Sequence, residues 1–222
     1  MLIESKNKMK AIVIGATGLI GKELVSQLLA KDDFDRVVTL VRKSSGFSHK
    51  KLEEVVINFD EPSSYSKYLS GDALFCALGT TIKKAGSQAA FRKIDFQYVV
   101  DFASVAAKNG IKRFSVVSSL GSKADTSNFY LRTKGEMEKA IATLNFDSVY
   151  IFRPSLLLGD RQETRTGEKI AEFLFKIIGF VFVGKLKRYK PVQGSAVAKA
   201  MIDSSISGKP GFNIVESEMI GD

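Results

Sequence analysis

The chain has 222 residues, 45% of them hydrophobic and 26% charged, with one Cys, one His and a formal net charge of +9. These values belong to a soluble globular chain with one main core and exclude a low-complexity or fibrous polymer. The lone Cys76 excludes an internal disulfide and fits a reducing compartment, and His49 has too few companions to build a metal centre, so no metal is expected.

Residues 1–9 read as a leader, because the first eight lack the apolar stretch of a secretory signal. No apolar run reaches membrane-spanning length, so no integral membrane segment is expected. A cytoplasmic location follows from these two readings. The first strand is Ala11-Ile12-Val13-Ile14, and apolar residues at helical spacing continue over 22–30. Between them stands Gly15-Ala16-Thr17-Gly18-Leu19-Ile20-Gly21, a G-x-x-G-x-x-G turn. A strand that passes into a helix through glycines lets backbone approach a pyrophosphate, and the helix N-terminus offers unpaired N–H groups and a partial positive charge.

The second strand, 36–41, ends in Arg42-Lys43-Ser44-Ser45-Gly46, and no acid occurs between Arg36 and Leu52. In a dinucleotide fold an acid here would hold the ribose 2′-hydroxyl. Two cations instead favour a 2′-phosphate, hence NADP(H), with NAD(H) second. The third strand is 54–59. Asp60 after it either faces an adenine edge or starts a turn. The fourth, 73–78, is apolar throughout, as a strand covered on both faces should be, and ends in Gly79-Thr80-Thr81. Cys76 within it reads as a buried, inert thiol, and His49 as a solvated side chain.

A helix is expected over 88–108, with Phe91, Ile94, Tyr98, Val99, Phe102 and Val105 on one face and Gly110 as its C-cap. A fifth strand, 112–117, ends in Ser118-Ser119. A polar loop leads into a helix over 129–144, and the strand 148–153 is stopped by Pro154. The alternation of strands and helices gives an α/β fold with a parallel sheet wrapped by helices. Beyond it, 168–178 reads as an unusually apolar helix continuing to 183, with Lys185, Lys187, Arg188 and Lys190 after it. It packs on its own domain, caps a substrate pocket, meets a partner chain or lies on a membrane surface. A short helix over 194–204 and an edge strand over 212–215 complete the pattern.

Tyr130-Leu131-Arg132-Thr133-Lys134 is Y-x-x-x-K, so both side chains share one helix face. A free phenol titrates near pKa ~10, and a neighbouring ammonium lowers that value. The phenol then exchanges a proton with a substrate oxygen while hydride moves to or from a nicotinamide. A hydroxyl from Ser119 at the end of the adjacent strand would hold the same oxygen; Ser118 is the other candidate.

The glycine turn, Leu78-Gly79-Thr80-Thr81, Ser118-Ser119 and Tyr130-x-x-x-Lys134 together resemble the short-chain dehydrogenases/reductases. The glycine spacing and the runs 75–81, 127–136 and 152–163 are similar to an atypical branch, the Tat-interacting oxidoreductase-like proteins. The resemblance implies a doubly wound, three-layer α/β/α Rossmann domain over 10–222, with about 155–210 forming a small region that caps the substrate pocket. It implies that Gly15, Thr17, Gly18, Leu19 and Ile20 form the diphosphate turn and that Arg42 and Lys43 take the 2′-phosphate. Leu78, Gly79 and Thr80 would flank the ribose, Leu157 would lie near the nicotinamide, and Arg165 would approach the phosphates. Tyr130 would be the proton donor, Lys134 would hold the nicotinamide ribose, and Ser119 would complete the catalytic set.

The sequence therefore reads as an NADPH-dependent oxidoreductase acting on a small carbonyl or alcohol, with a homodimer as the anticipated assembly. Two rivals share the fold: an NADPH-bound regulator without turnover, and a nucleotide-sugar epimerase or dehydratase. The basic residues are scattered rather than clustered, so nucleic acid is not an expected partner.

Overall fold

The computed structural model describes residues 8–158 and 184–221. The expected leader and the apolar helix after Thr166 therefore lie largely outside the described residues, and Arg165 lies outside them altogether.

In chain order the elements are β1 (Met9–Ile14), α1 (Leu19–Ala30), β2 (Phe34–Val41), β3 (Leu52–Val56), α2 (Pro62–Tyr65), β4 (Ala73–Cys76), α3 (Ile82–Ala85) and α4 (Gln88–Arg92). A π-helical segment, Lys93–Gln97, joins α4 to α5 (Tyr98–Lys108). Then come β5 (Arg113–Val117), α6 (Phe129–Ile141), β6 (Ser148–Arg153), β7 (Leu157–Leu158), β8 (Val192–Gln193), α7 (Gly194–Ser207) and β9 (Gly211–Glu216).

Seven strands form one parallel sheet in the order β3-β2-β1-β4-β5-β6-β9. The order reverses between β1 and β4, which opens a crevice at the carboxyl ends of those strands. Side chains alternate across each strand and feed two cores. Ile12, Ile14, Leu74 and Cys76 pack with Val99, Phe102, Met137 and Ile141 of α5 and α6. Ala11, Val13, Ala73 and Phe75 pack with Leu24, Leu28, Val197 and Met201 of α1 and α7. Burial on both faces explains why β1 and β4 carry no polar residue after Lys10.

The helix expected over 88–108 is one continuous rod, but the π turn shifts its phase. Ile94, expected on the core face, is only half-buried, and Asp95 is fully buried in its place. A π turn adds one residue to the ring closed by the backbone bond, so the side chains after it advance by one position. Gly110 follows the Asn109 cap with φ +84°, the left-handed conformation that ends a helix. Cys76 is buried and its thiol is pushed up to about 12, chiefly by desolvation, which keeps it a neutral and unreactive group. His49 departs from the expected solvated state: it is half-buried, and its Nδ1 accepts from Lys51 N at 3.2 Å.

Candidate active site

The glycine turn leaves β1 at Gly15, which adopts φ +82°. A Cβ at Gly15 would lie 2.7 Å from the Ala77 backbone carbonyl, and one at Gly21 would lie 2.0 Å from the Gly15 carbonyl oxygen. These two glycines are therefore needed for close approach of turn, helix and β4. Gly18 N donates to Gly15 O at 3.0 Å and Gly18 caps α1 with no side-chain bond; the first turn of α1 holds no acid. The N-terminal amides of α1 thus keep their capacity for an external anion.

These amides open on a cleft of about 520 Å³ above the sheet. Thr17, Gly18, Leu19, Ile20 and Lys22 form its wall on the α1 side. Ala77, Leu78, Gly79, Thr80 and Thr81 line it from the end of β4, with Lys84 from α3. Val117 and Ser118 contribute from β5, Tyr130 and Lys134 from α6, Leu157 from β7 and Asp95 from the π turn. The volume lies within the range of small-molecule sites, and the lining mixes apolar and polar groups.

Asn128 starts α6 by accepting from Leu131 N at 3.1 Å, which sets Tyr130 in the first turn. The Tyr130 ring packs on Phe91 with centroids 5.2 Å apart and a tilt of 36°. Its hydroxyl makes no hydrogen bond to the described residues. Gly135, directly after Lys134, lets the 122–128 loop press on α6: a Cβ there would meet Lys123 backbone at 2.3 Å. An ion pair between Arg92 and Glu136 ties α4 to the same helix.

Lys134 is buried, and its Nζ lies 2.8 Å from Asp95 Oδ1 and 3.4 Å from Val117 O. Burial opposes the ammonium, but Asp95 above all, with Tyr130 and Cys76, holds it above the ordinary lysine range. The sequence reading pairs Lys134 with Tyr130 alone; the structure adds Asp95 in contact with the ammonium.

The two serines part company. Ser118 is buried, its hydroxyl bonded to Glu138 and to Ser122 Oγ. Glu138 also pairs with Arg153, whose other arm reaches Glu216 at 2.9 Å. Ser119 is half-buried and its hydroxyl bonds to none of the described residues, but it does not line the cleft. Its carbonyl accepts from Ser122 N at 3.1 Å in a tight turn.

Gly15, Arg42 and Lys43 also stand outside the lining. Gly15 acts through the backbone of its turn. Arg42 and Lys43 are exposed after β2, the Arg42 guanidinium 5.8 Å from the Phe59 ring centroid. Their loop is pinned by Glu54, which accepts from Ser44 Oγ at 2.7 Å, Ser45 N at 2.8 Å and Ser45 Oγ at 2.6 Å. Asp60 pairs with Lys93 at 2.7 Å and accepts from the Tyr98 hydroxyl at 3.0 Å. Sequence reasoning missed Asp95, Lys22 and Lys84. For Asp95 the one signal was an acid inside an apolar helical pattern.

A switch-point crevice fed by a glycine turn, with Tyr and Lys of one helix in its wall, defines a Rossmann fold with a dinucleotide-type crevice. Comparison with known proteins narrows the class. A model of the NAD(P)H-binding family matches residues 15–174. Rat protein HTATIP2 is 36% identical over 167 residues, covering 73% of this chain and 69% of that protein. The Candida albicans protein FMP52, mitochondrial, is 33% identical over 206 residues, covering 90% and 89%. The chain belongs to the NAD(P)H-binding family, with HTATIP2 and FMP52 among its relatives.

In fold it is similar to Bordetella bronchiseptica WbmG in complex with NAD, at TM-score 0.71 and 13% identity, covering 97% of this chain and 74% of that one. It is likewise similar to a UDP-N-acetylglucosamine 4-epimerase from Methanobrevibacter ruminantium, at TM-score 0.71 and 18% identity, covering 94% and 76%. The expected cytoplasmic location is corrected by these findings: relatives matched along nearly their whole length are named as mitochondrial proteins. No helix among the described residues is long and apolar enough to cross a membrane.

Proposed function

We propose that the protein is an NADPH-dependent oxidoreductase that interconverts a small carbonyl and alcohol, with Tyr130 as acid and base. The observation that carries the reading is the single cleft into which α1 brings its uncapped N-terminus and α6 brings Tyr130 and Lys134. The residues fit a nicotinamide nucleotide: Gly15 and Gly21 leave no room for side chains where the turn meets β4 and α1, and the α1 amides suit a diphosphate. When bound, the nicotinamide supplies or accepts the hydride.

In this reading Thr17, Gly18, Leu19 and Ile20 hold the diphosphate by backbone N–H groups. Arg42 and Lys43 meet the 2′-phosphate, Lys43 as a point charge and Arg42 as a planar fork. Leu78, Gly79 and Thr80 flank the ribose, and Leu157 borders the nicotinamide. Arg165 is assigned to the phosphates from the resemblance alone. Tyr130 gives its proton to a carbonyl oxygen or takes one from an alcohol. Lys134 fixes the nicotinamide ribose. Ser118 and Ser119 both stay candidates for the hydroxyl that steadies the substrate oxygen: Ser118 lines the cleft but is bonded to Glu138, and Ser119 has no bond among the described residues but stands outside the lining. The residues 10–222 act as one domain, and the relatives' names favour work in mitochondria.

The test is a panel of small carbonyls with purified protein and NADPH. Cofactor oxidation above background that vanishes in Tyr130→Phe supports the reading. No oxidation across the panel, with NADPH bound, would move the protein to the regulator class.

A further inference from the structure

Asp95 is a carboxylate standing where the helix pattern calls for an apolar side chain. It is fully buried, at the π turn between α4 and α5. One oxygen pairs with Lys134 Nζ at 2.8 Å; the other accepts from Thr80 N at 2.9 Å. One side chain thus binds α6 to the loop after β4. Gly79 opens on this pair: a Cβ there would stand 3.6 Å from Asp95 Oδ1 and 3.9 Å from Lys134 Nζ. The pair therefore sits directly behind the stretch that the cleft presents to a ligand.

Removing an ammonium from water costs several kcal/mol unless a partner compensates. A buried lysine left alone sheds its proton instead, well below the ordinary lysine range. The groups facing Lys134 are Asp95 from the π turn, Tyr130 from its own helix, Cys76 from β4 and the Val117 carbonyl from β5. Cys76 stays a neutral thiol at neutral pH. Among the described residues, Asp95 is the one carboxylate paired with Lys134.

We propose that Asp95 is a positioning residue: it holds the Lys134 ammonium charged and aimed into the cleft, and locks it to the Gly79–Thr80 turn. The proposal rests on the reading that a nicotinamide nucleotide occupies this cleft. Lys134 would meet the ribose hydroxyls; Asp95 would touch neither cofactor nor substrate. Its effect runs through the lysine and the turn. A carboxylate lost at this place leaves the lysine protonated only at the acid end of the neutral range. Cofactor affinity should then depend on pH where the parent protein's does not.

The test measures NADPH affinity from pH 7 to 9.5, followed by the fluorescence of the reduced nicotinamide, for the parent, Asp95→Asn and Asp95→Glu. The quantity read is the ratio of variant to parent Kd at each pH, which cancels titration of the cofactor itself. For Asp95→Asn the ratio should climb at least fivefold across that interval, as Lys134 loses its proton. For Asp95→Glu it should stay level, because the charge is kept. A level ratio for Asp95→Asn, at any height, means that Asp95 only packs the wall and overturns the proposal. If Asp95→Asn does not fold, Asp95→Ser, which leaves space for a water, is measured in its place; failure of both to fold would also overturn it. NADPH that does not bind the parent at any pH would instead remove the proposed function, a result distinct from all of these.

Discussion

Gly15 shows what the cleft demands of one residue. Its φ of +82° and the 2.7 Å that would separate a Cβ from Ala77 both forbid a side chain. Gly15→Ala should lose about 1–3 kcal/mol from the left-handed backbone alone, with the overlap against β4 adding to it. Urea unfolding measures this, and an unchanged midpoint would show that the turn is not held as described. Tyr130 makes a different claim. Tyr130→Phe keeps the ring on Phe91, so NADPH affinity should stay within about twofold while turnover falls by roughly 10² or more, the worth of a general acid. Both residues were legible in the sequence, because glycine spacing and the four-residue step on a helix survive without tertiary knowledge. Asp95 was not, since a π turn that shifts the register by one residue leaves no mark in the apolar pattern. Nor could the sequence separate Ser118 from Ser119. That distinction depends on Glu138, twenty residues on, taking the first hydroxyl.

Among elements, the loop from Arg42 to Phe47 depends on Glu54 of β3. Burial works against that carboxylate, but bonds from the Ser44 and Ser45 hydroxyls and the backbone at Ser45 and Gly46 hold it below its ordinary value. A lowered folded value means that the bonds add stability above the unfolded carboxylate range, and that this is lost as pH falls through the lowered value. The loop should therefore stay ordered at neutral pH and loosen as pH falls below the ordinary carboxylate range. Glu54→Gln imitates the protonated state. If Arg42 and Lys43 hold a 2′-phosphate, it should reduce the preference for NADPH over NADH, read as a ratio of Kd values at neutral pH; an unchanged ratio would detach the loop from cofactor choice. On the other flank, Glu138 binds α6 to β5 and β6 through Ser118 and Arg153. Glu138→Ala leaves the Arg153 cation with Glu216 and the Ser118 hydroxyl with Ser122, so it should cost about 1–3 kcal/mol in denaturant unfolding, less than a buried charge left without any partner. The strands were readable to within two residues at most ends, since runs buried on both faces are apolar throughout. The β7–β8 pair was not, because two-residue strands have no period to detect.

At the scale of the molecule, strand order gathers the parts of the site on one edge of the sheet. β1, β4 and β5 end together, so the glycine turn, the Gly79 loop and the start of the 118–128 segment meet, and α6 lowers Tyr130 and Lys134 between them. Two cores, one on each face, hold those strand ends in register. A ligand that binds only this folded arrangement stabilises it. At a hundred times its Kd, NADPH should add about 2.7 kcal/mol, and raise the melting temperature of a chain this size by roughly 5–10 °C. The most direct measurement is a titration of the protein with NADPH, followed by nicotinamide fluorescence and repeated with NADH. Saturable binding of one NADPH per chain, tighter than NADH, is the expected result. A signal that stays linear with added protein for both cofactors would contradict the account at its centre.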